Sequence, residues 1–184
     1  MSTRTITLVR HGEAAARWWE DPDPGLSEEG RRQAARLVGE LASLRPSALL
    51  VSPLRRTRET ADYLARHWGI TPQVAPVVSE IPAPTDDVEE RGRWLESVLS
   101  GQWSDMPPAQ RVWRDELLEA LRSLESDTVV VTHFVAINTV IGAATGDDRL
   151  VCERLGACSW TVVELRDGVL RLVTAGSGEP SPAR

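Results

Sequence analysis

The strongest constraint on the fold is an alternation of short apolar runs with segments of helical spacing. Residues 3–9, 48–51 and 128–132 are rich in Val, Leu, Ile and Thr, and they are too short for buried helices. After the first run, Ser27 is placed to cap a helix whose first turn carries Glu28 and Glu29. Ala34, Leu37, Val38 and Leu41 recur on one side of it, to about residue 43. After the second run, Ser52-Pro53 reads as an N-cap followed by proline at the first helical position. Ala61, Leu64, Ala65 and Trp68 form the apolar side of that helix. Residues 74–78 read as a third strand, 109–124 as a helix, and a further helix starts near Val135. Residues 159–165 and 169–174 are two more strands joined by Arg166-Asp167-Gly168, and an Asp-Gly pair favours a tight hairpin. Parallel neighbours need a crossover, which the intervening helices supply. The expected fold is α/β: a three-layer α/β/α sandwich with a mainly parallel sheet and a C-terminal antiparallel hairpin.

At 184 residues the chain fits one domain, which at this size buries about 70% of its unfolded surface. We expect that domain over residues 1–175. Residues 81–108, with Pro82, Pro84, Pro107 and Pro108 around a helix at 87–99, read as a small insertion and candidate lid. Residues 176–184 have the composition of a disordered tail.

A net charge of −6 argues against nucleic acid or an anionic membrane surface as a partner. All 21 basic residues are arginine, so Schiff-base chemistry and a P-loop lysine are both excluded. Cys152 and Cys158, with only three histidines in the chain, do not make a zinc pattern. No apolar run would span a membrane and no signal-peptide core is present. The expectation is a cytoplasmic protein with no metal and no cofactor.

Ligands of open α/β sheets collect outside the carboxyl ends of the parallel strands. Arg10 and His11 follow the first strand, Arg56 follows the second and His133 follows the fourth. Two histidines and two arginines at strand ends outline an anion site, since guanidinium forks match phosphate oxygens.

These residues sit in ordered blocks: Leu8-Val9-Arg10-His11-Gly12-Glu13, Gly25 to Gly30 with Gln33-Ala34, Ser52-Pro53-Leu54-Arg55-Arg56 with Thr60-Ala61, and Val131-Thr132-His133. Over roughly residues 4–142 the chain resembles the histidine phosphatase superfamily, with its phosphoglycerate-mutase-like fold. That resemblance implies a phosphomonoester hydrolase. His11 would attack phosphorus and carry the phosphoryl group, while Arg10, Arg56 and His133 bind its oxygens. Flanking arginines would keep His11 neutral and nucleophilic. Glu80 would be the proton donor, with Asp86 or Asp87 as substitutes.

Two positions depart from the family pattern: Phe134 stands where glycine is frequent, and Arg17 where the mutase branch has asparagine. Of seven tryptophans, Trp94 and Trp103 lie in the insertion, and Trp18 and Trp19 follow the nucleophile loop. The expected partner is a small phosphorylated substrate, a phosphoprotein being the alternative. A phosphoglycerate mutase and a non-catalytic phosphate-binding domain are the competing functions.

Overall fold

The computed structural model describes residues 3–16 and 20–177. Its centre is a six-stranded sheet in the order β3-β2-β4-β1-β5-β6. The strands are β1 (Arg4–Arg10), β2 (Ala48–Val51), β3 (Gln73–Val74), β4 (Thr128–Thr132), β5 (Trp160–Arg166) and β6 (Val169–Ser177). β2 pairs in parallel with β3 and β4, and β4 with β1; β5 runs antiparallel to both β1 and β6.

The helices are α1 (Glu28–Glu40), α2 (Arg55–Trp68), α3 (Val88–Val98), α4 (Pro108–Arg122) and α5 (Phe134–Thr145). Side-chain alternation along the strands divides the core in two. Ile6, Leu8 and Val130 point toward α4 and α5, where they meet Leu117, Leu121, Ile137 and Ile141. Val9, Val129 and Val131 point the other way, to Ala34 and Leu37 of α1 and Ala61 and Leu64 of α2. Both faces are covered, so β4 is buried throughout, as a central parallel strand requires.

Local signals explain most boundaries. Ser27 caps α1, its Oγ accepting from Gly30 N–H at 2.9 Å. Gly69 and Gly146 close α2 and α5 in the left-handed region, at φ 67° and 73°. The hairpin turn places Asp167 and Gly168 at φ 54° and 76°, the pair of positive values that lets a two-residue turn match strand twist.

Three expectations need correction. The third strand is only Gln73–Val74, because Pro76 has no N–H to donate and opens a 3-10 turn over Pro76–Val78. Ser52 does not cap α2: the N-cap is Leu54, and the Arg55 N–H is taken by Asp23 Oδ1 at 2.8 Å. β6 extends through Gly176 to Ser177, where a tail had been expected; residues 178–184 lie outside the described residues. Part of the insertion packs as core: Trp103 and Met106 are buried, and Trp103 stacks on Trp113 with centroids 6.0 Å apart.

Candidate active site

Strand order brings the chemistry together. β4 lies between β2 and β1, in register with Val51 opposite Val131 and Arg10 opposite Thr132. Ser52, His133 and His11 therefore leave three adjacent strands at one edge, at a spacing of about 4.8 Å per strand.

The loop after β1 is tied down through its backbone. His11 N–H donates to the Thr132 carbonyl at 3.1 Å. Gly12 N–H donates to Thr60 Oγ1 at 3.1 Å, and Glu13 N–H to Gln33 Oε1 at 2.8 Å. A Cβ on Gly12 would lie 2.7 Å from the Gly30 carbonyl oxygen, so the close approach of α1 demands glycine. Glu13 accepts from Ser27 Oγ at 2.9 Å, which makes it a clasp between this loop and the start of α1.

The hydrogen bonds fix both imidazole tautomers. His11 Nδ1 is 2.8 Å from the Gly12 carbonyl oxygen, which can only accept, so Nδ1 carries the proton and Nε2 the lone pair. Arg56 Nε–H donates to that lone pair at 3.1 Å. Arg56 Nη2 also donates to His133 Nδ1 at 3.3 Å, leaving the His133 proton on Nε2, which donates to Ser52 Oγ at 2.8 Å. The two rings meet edge to face, with centroids 5.2 Å apart.

Electrostatics keep both histidines neutral. Burial first, then Arg56 and Arg10, push His11 well below the ordinary histidine value. Burial and then His11, Arg56 and Arg10 do the same to His133. Arg10 donates through Nη1 to the Leu155 carbonyl, and its guanidinium lies over the Phe134 ring, 5.1 Å from the centroid. Its Nε is buried with no hydrogen-bond partner among the described residues. A buried donor of that kind suits an anion.

Glu80 follows the 3-10 turn, which Thr132 Oγ1 holds by donating to the Val78 carbonyl at 2.5 Å. Its carboxyl group accepts from Ile81, Val135 and Ala136 N–H at 3.0, 3.1 and 3.2 Å. Val135 and Ala136 open α5, so Glu80 sits at the positive end of a helix whose N-cap is His133. Burial raises its pKa above the usual carboxylate value; the three N–H donors and Arg56 pull the other way without cancelling it. Such a carboxyl is suited to both giving up and recovering a proton.

The structure thus gathers Arg10, His11, Arg56, Glu80 and His133 around one edge. It does not bring in Asp86 or Asp87, which are exposed, and Asp87 is occupied in capping α3 by accepting from Glu90 N–H at 2.9 Å. Arg17, Trp18 and Trp19 lie outside the described residues. Sequence reasoning missed Ser52 as the partner of His133, because a serine before proline looks like a helix cap.

Among the described residues, no group of three or more His, Cys, Asp or Glu could hold a metal ion, and no helix is long and apolar enough to cross a membrane. Cys152 and Cys158 are unpaired. Burial pushes the Cys158 thiol up to about 12 and Cys152 up to about 11, so both stay protonated near neutrality.

The profile of the histidine phosphatase superfamily (branch 1) matches residues 6–177. A 5''-phosphoribostamycin phosphatase of Niallia circulans is 34% identical over 131 residues, covering 66% of this chain; the chain spans 57% of that relative's length. A probable phosphoglycerate mutase of Erwinia tasmaniensis is 27% identical over 184 residues, covering 86% of this chain and 84% of its own. The structure of Bacillus stearothermophilus YhfR superposes with a TM-score of 0.77 at 22% identity, over 96% of this chain and 98% of that one.

Proposed function

Because this chain belongs to branch 1 of the histidine phosphatase superfamily, we propose that it hydrolyses a small phosphomonoester through a phosphohistidine on His11. The observation that carries this reading is Arg56, whose guanidinium donates to His11 Nε2 and His133 Nδ1 together. A bound phosphoryl group would take the guanidinium donors on its oxygens, which frees the His11 Nε2 lone pair for attack.

In the first step the lone pair of His11 Nε2 forms the N–P bond as the P–O bond to the leaving group breaks. Glu80, in its protonated form, gives its proton to the departing oxygen. Arg10 and Arg56 hold the equatorial oxygens as charge builds, the electrostatic contribution on which phosphoryl transfer depends, and His133 orients Arg56 by accepting from its Nη2. The start of α5 stabilises the resulting Glu80 carboxylate through Val135 and Ala136 N–H. In the second step Glu80 takes a proton from water, the water oxygen attacks phosphorus and the N–P bond breaks. Inorganic phosphate leaves, and His11 recovers its lone pair. The pKa directions support these roles: His11 is depressed, as a nucleophile needs, and Glu80 raised, as an acid needs.

The relation to a probable phosphoglycerate mutase favours a second reading, transfer rather than hydrolysis. Phosphate release decides between the two. An aryl and an alkyl phosphate are offered to wild type, His11→Ala and Glu80→Gln, with rapid-quench trapping of phosphoprotein. Wild type should release phosphate and His11→Ala should neither release it nor become labelled. Glu80→Gln should slow the alkyl ester about 10²–10⁴-fold and the aryl ester much less, because an aryloxide leaves without a proton. Full turnover by His11→Ala would overturn the proposal. Interconversion of 2- and 3-phosphoglycerate with little phosphate release would select the mutase reading.

A further inference from the structure

Arg10 is held from two sides. Its Nη1 donates to the Leu155 carbonyl, in the irregular segment between α5 and β5. Its guanidinium lies over the ring of Phe134, the first residue of α5, 5.1 Å from the centroid. The backbone rests on the same segment: Arg10 N–H donates to the Ser159 carbonyl at 3.0 Å, and Cys158 N–H donates to the His11 carbonyl at 3.3 Å.

Both supports meet at Asn138, which lies one turn into α5 and is fully buried. Its Nδ2 donates to the Phe134 carbonyl at 3.0 Å. Its Oδ1 accepts from the N–H groups of Cys152 and Glu153, both at 2.8 Å, just before Leu155. None of these three hydrogen bonds reaches Arg10 or either site histidine. The bridge uses a donor and both oxygen lone pairs of one amide, and an apolar side chain there would leave two N–H groups of the segment without that acceptor. Arg10 depends on such a support. Its Nε is buried with no hydrogen-bond partner among the described residues, a donor suited to an anion. Donors stabilise a phosphoryl group most when they already point at its oxygens. A long arginine side chain keeps that direction only if its other contacts remove its rotamer freedom.

Resting on the phosphatase reading above, we propose that Asn138 is a positioning residue that aims the Arg10 guanidinium at the phosphoryl oxygens, by locking the segment that carries the Leu155 carbonyl onto the start of α5.

The test is a double-mutant cycle read by titration calorimetry with inorganic orthovanadate, a mimic of the phosphoryl group in transfer that binds without turnover. The proteins are wild type, Asn138→Ala, Arg10→Gln and the double variant, with denaturant unfolding of each alongside. Arg10→Gln should weaken vanadate binding about 10–100-fold, and Asn138→Ala about 3–30-fold, a fraction of losing the charged hydrogen bonds of Arg10 outright. In the Arg10→Gln background, Asn138→Ala should cost about twofold or less in affinity, while lowering stability as much as it does in the wild-type background. Asn138→Ser keeps a hydroxyl able to bond the Phe134 carbonyl, as Thr139 Oγ1 bonds the Val135 carbonyl at 2.8 Å, but it is too short for the segment. It enters the same cycle with the same expectation, and carries the test should Asn138→Ala not fold. Unchanged vanadate affinity in the Asn138 variants, or an equal loss in both backgrounds, would overturn the inference, because a merely structural residue weakens binding whether or not Arg10 is present. Failure of the phosphatase reading is separate: it appears as turnover by His11→Ala, whatever the outcome of the cycle.

Discussion

Replacing Ser52 with alanine removes one oxygen atom, yet it should disable a residue on another strand. Ser52 Oγ is the acceptor for His133 Nε2–H at 2.8 Å, and both residues are fully buried. Without it the imidazole has two options. It can keep its tautomer and leave a buried N–H without a partner. Alternatively it can move the proton to Nδ1, which then faces the Arg56 Nη2 donor at 3.3 Å, N–H against N–H. The first leaves a desolvated donor unpaired, at about 1–3 kcal/mol; the second loses a charge-assisted hydrogen bond of comparable worth. At about 1.4 kcal/mol per decade, either route predicts a loss of about 5–150-fold in kcat/KM. The assay is steady-state hydrolysis of an aryl phosphate, with denaturant unfolding alongside to register the same about 1–3 kcal/mol in stability. Ser52→Thr keeps the hydroxyl and should recover part of the activity. Activity of Ser52→Ala within about twofold of wild type would refute the tautomer argument, because the buried proton would then need no acceptor.

Two other outcomes follow from the same geometry. His11 and His133 have folded-state pKa values well below the unfolded value of 6.5, so the unfolded chain binds more protons just below that pH. Stability should fall as pH drops below about 6.5, by up to about 1.4 kcal/mol per pH unit for each histidine. Glu80, raised above 4.5, opposes this between 4.5 and its folded value, but one carboxyl offsets only one of two histidines. Unfolding free energies at intervals from pH 5 to 7 check the sign, and a flat profile would contradict it. In the nucleophile loop, a Cβ at Gly30 would lie 2.1 Å from the Glu13 carbonyl oxygen, whereas one at Gly39 on the same helix meets nothing within 4 Å. Gly30→Ala should therefore destabilise by about 1–3 kcal/mol, while Gly39→Ala stabilises by about 0.5–1 kcal/mol, both measured by denaturant unfolding.

Element type was legible wherever apolar period and end signals agreed. Ser27 before two glutamates marked the start of α1, and Asp167-Gly168 marked the hairpin. The third strand was misread because Val74, Val77 and Val78 look like one apolar run. Pro76 interrupts the pairing after Val74, and the chain turns so that Val78 packs into the core. Trp103, assigned to an insertion by its neighbouring prolines, is core because it stacks on Trp113 of α4. A proline-rich context describes backbone stiffness, not burial.

By itself the sequence determined which residues end each strand, and so which groups were available at the carboxyl edge: Arg10 and His11, Ser52, and His133. Local propensity and short-range capping settle such matters within a few residues. Only the tertiary structure decided who meets whom. Arg56 reaches partners 45 and 77 residues away because β4 inserts between β2 and β1, an order that no local preference encodes. The same holds for Ser52, whose hydroxyl could have served a helix end or an imidazole. It accepts from the buried His133 N–H at 2.8 Å and only weakly, at 3.4 Å, from Leu54 N–H, while the first N–H of α2 finds its own acceptor in Asp23. Glu80 carries no motif of its own; its carboxyl finds its N–H donors at the start of α5 only because the chain packs it there.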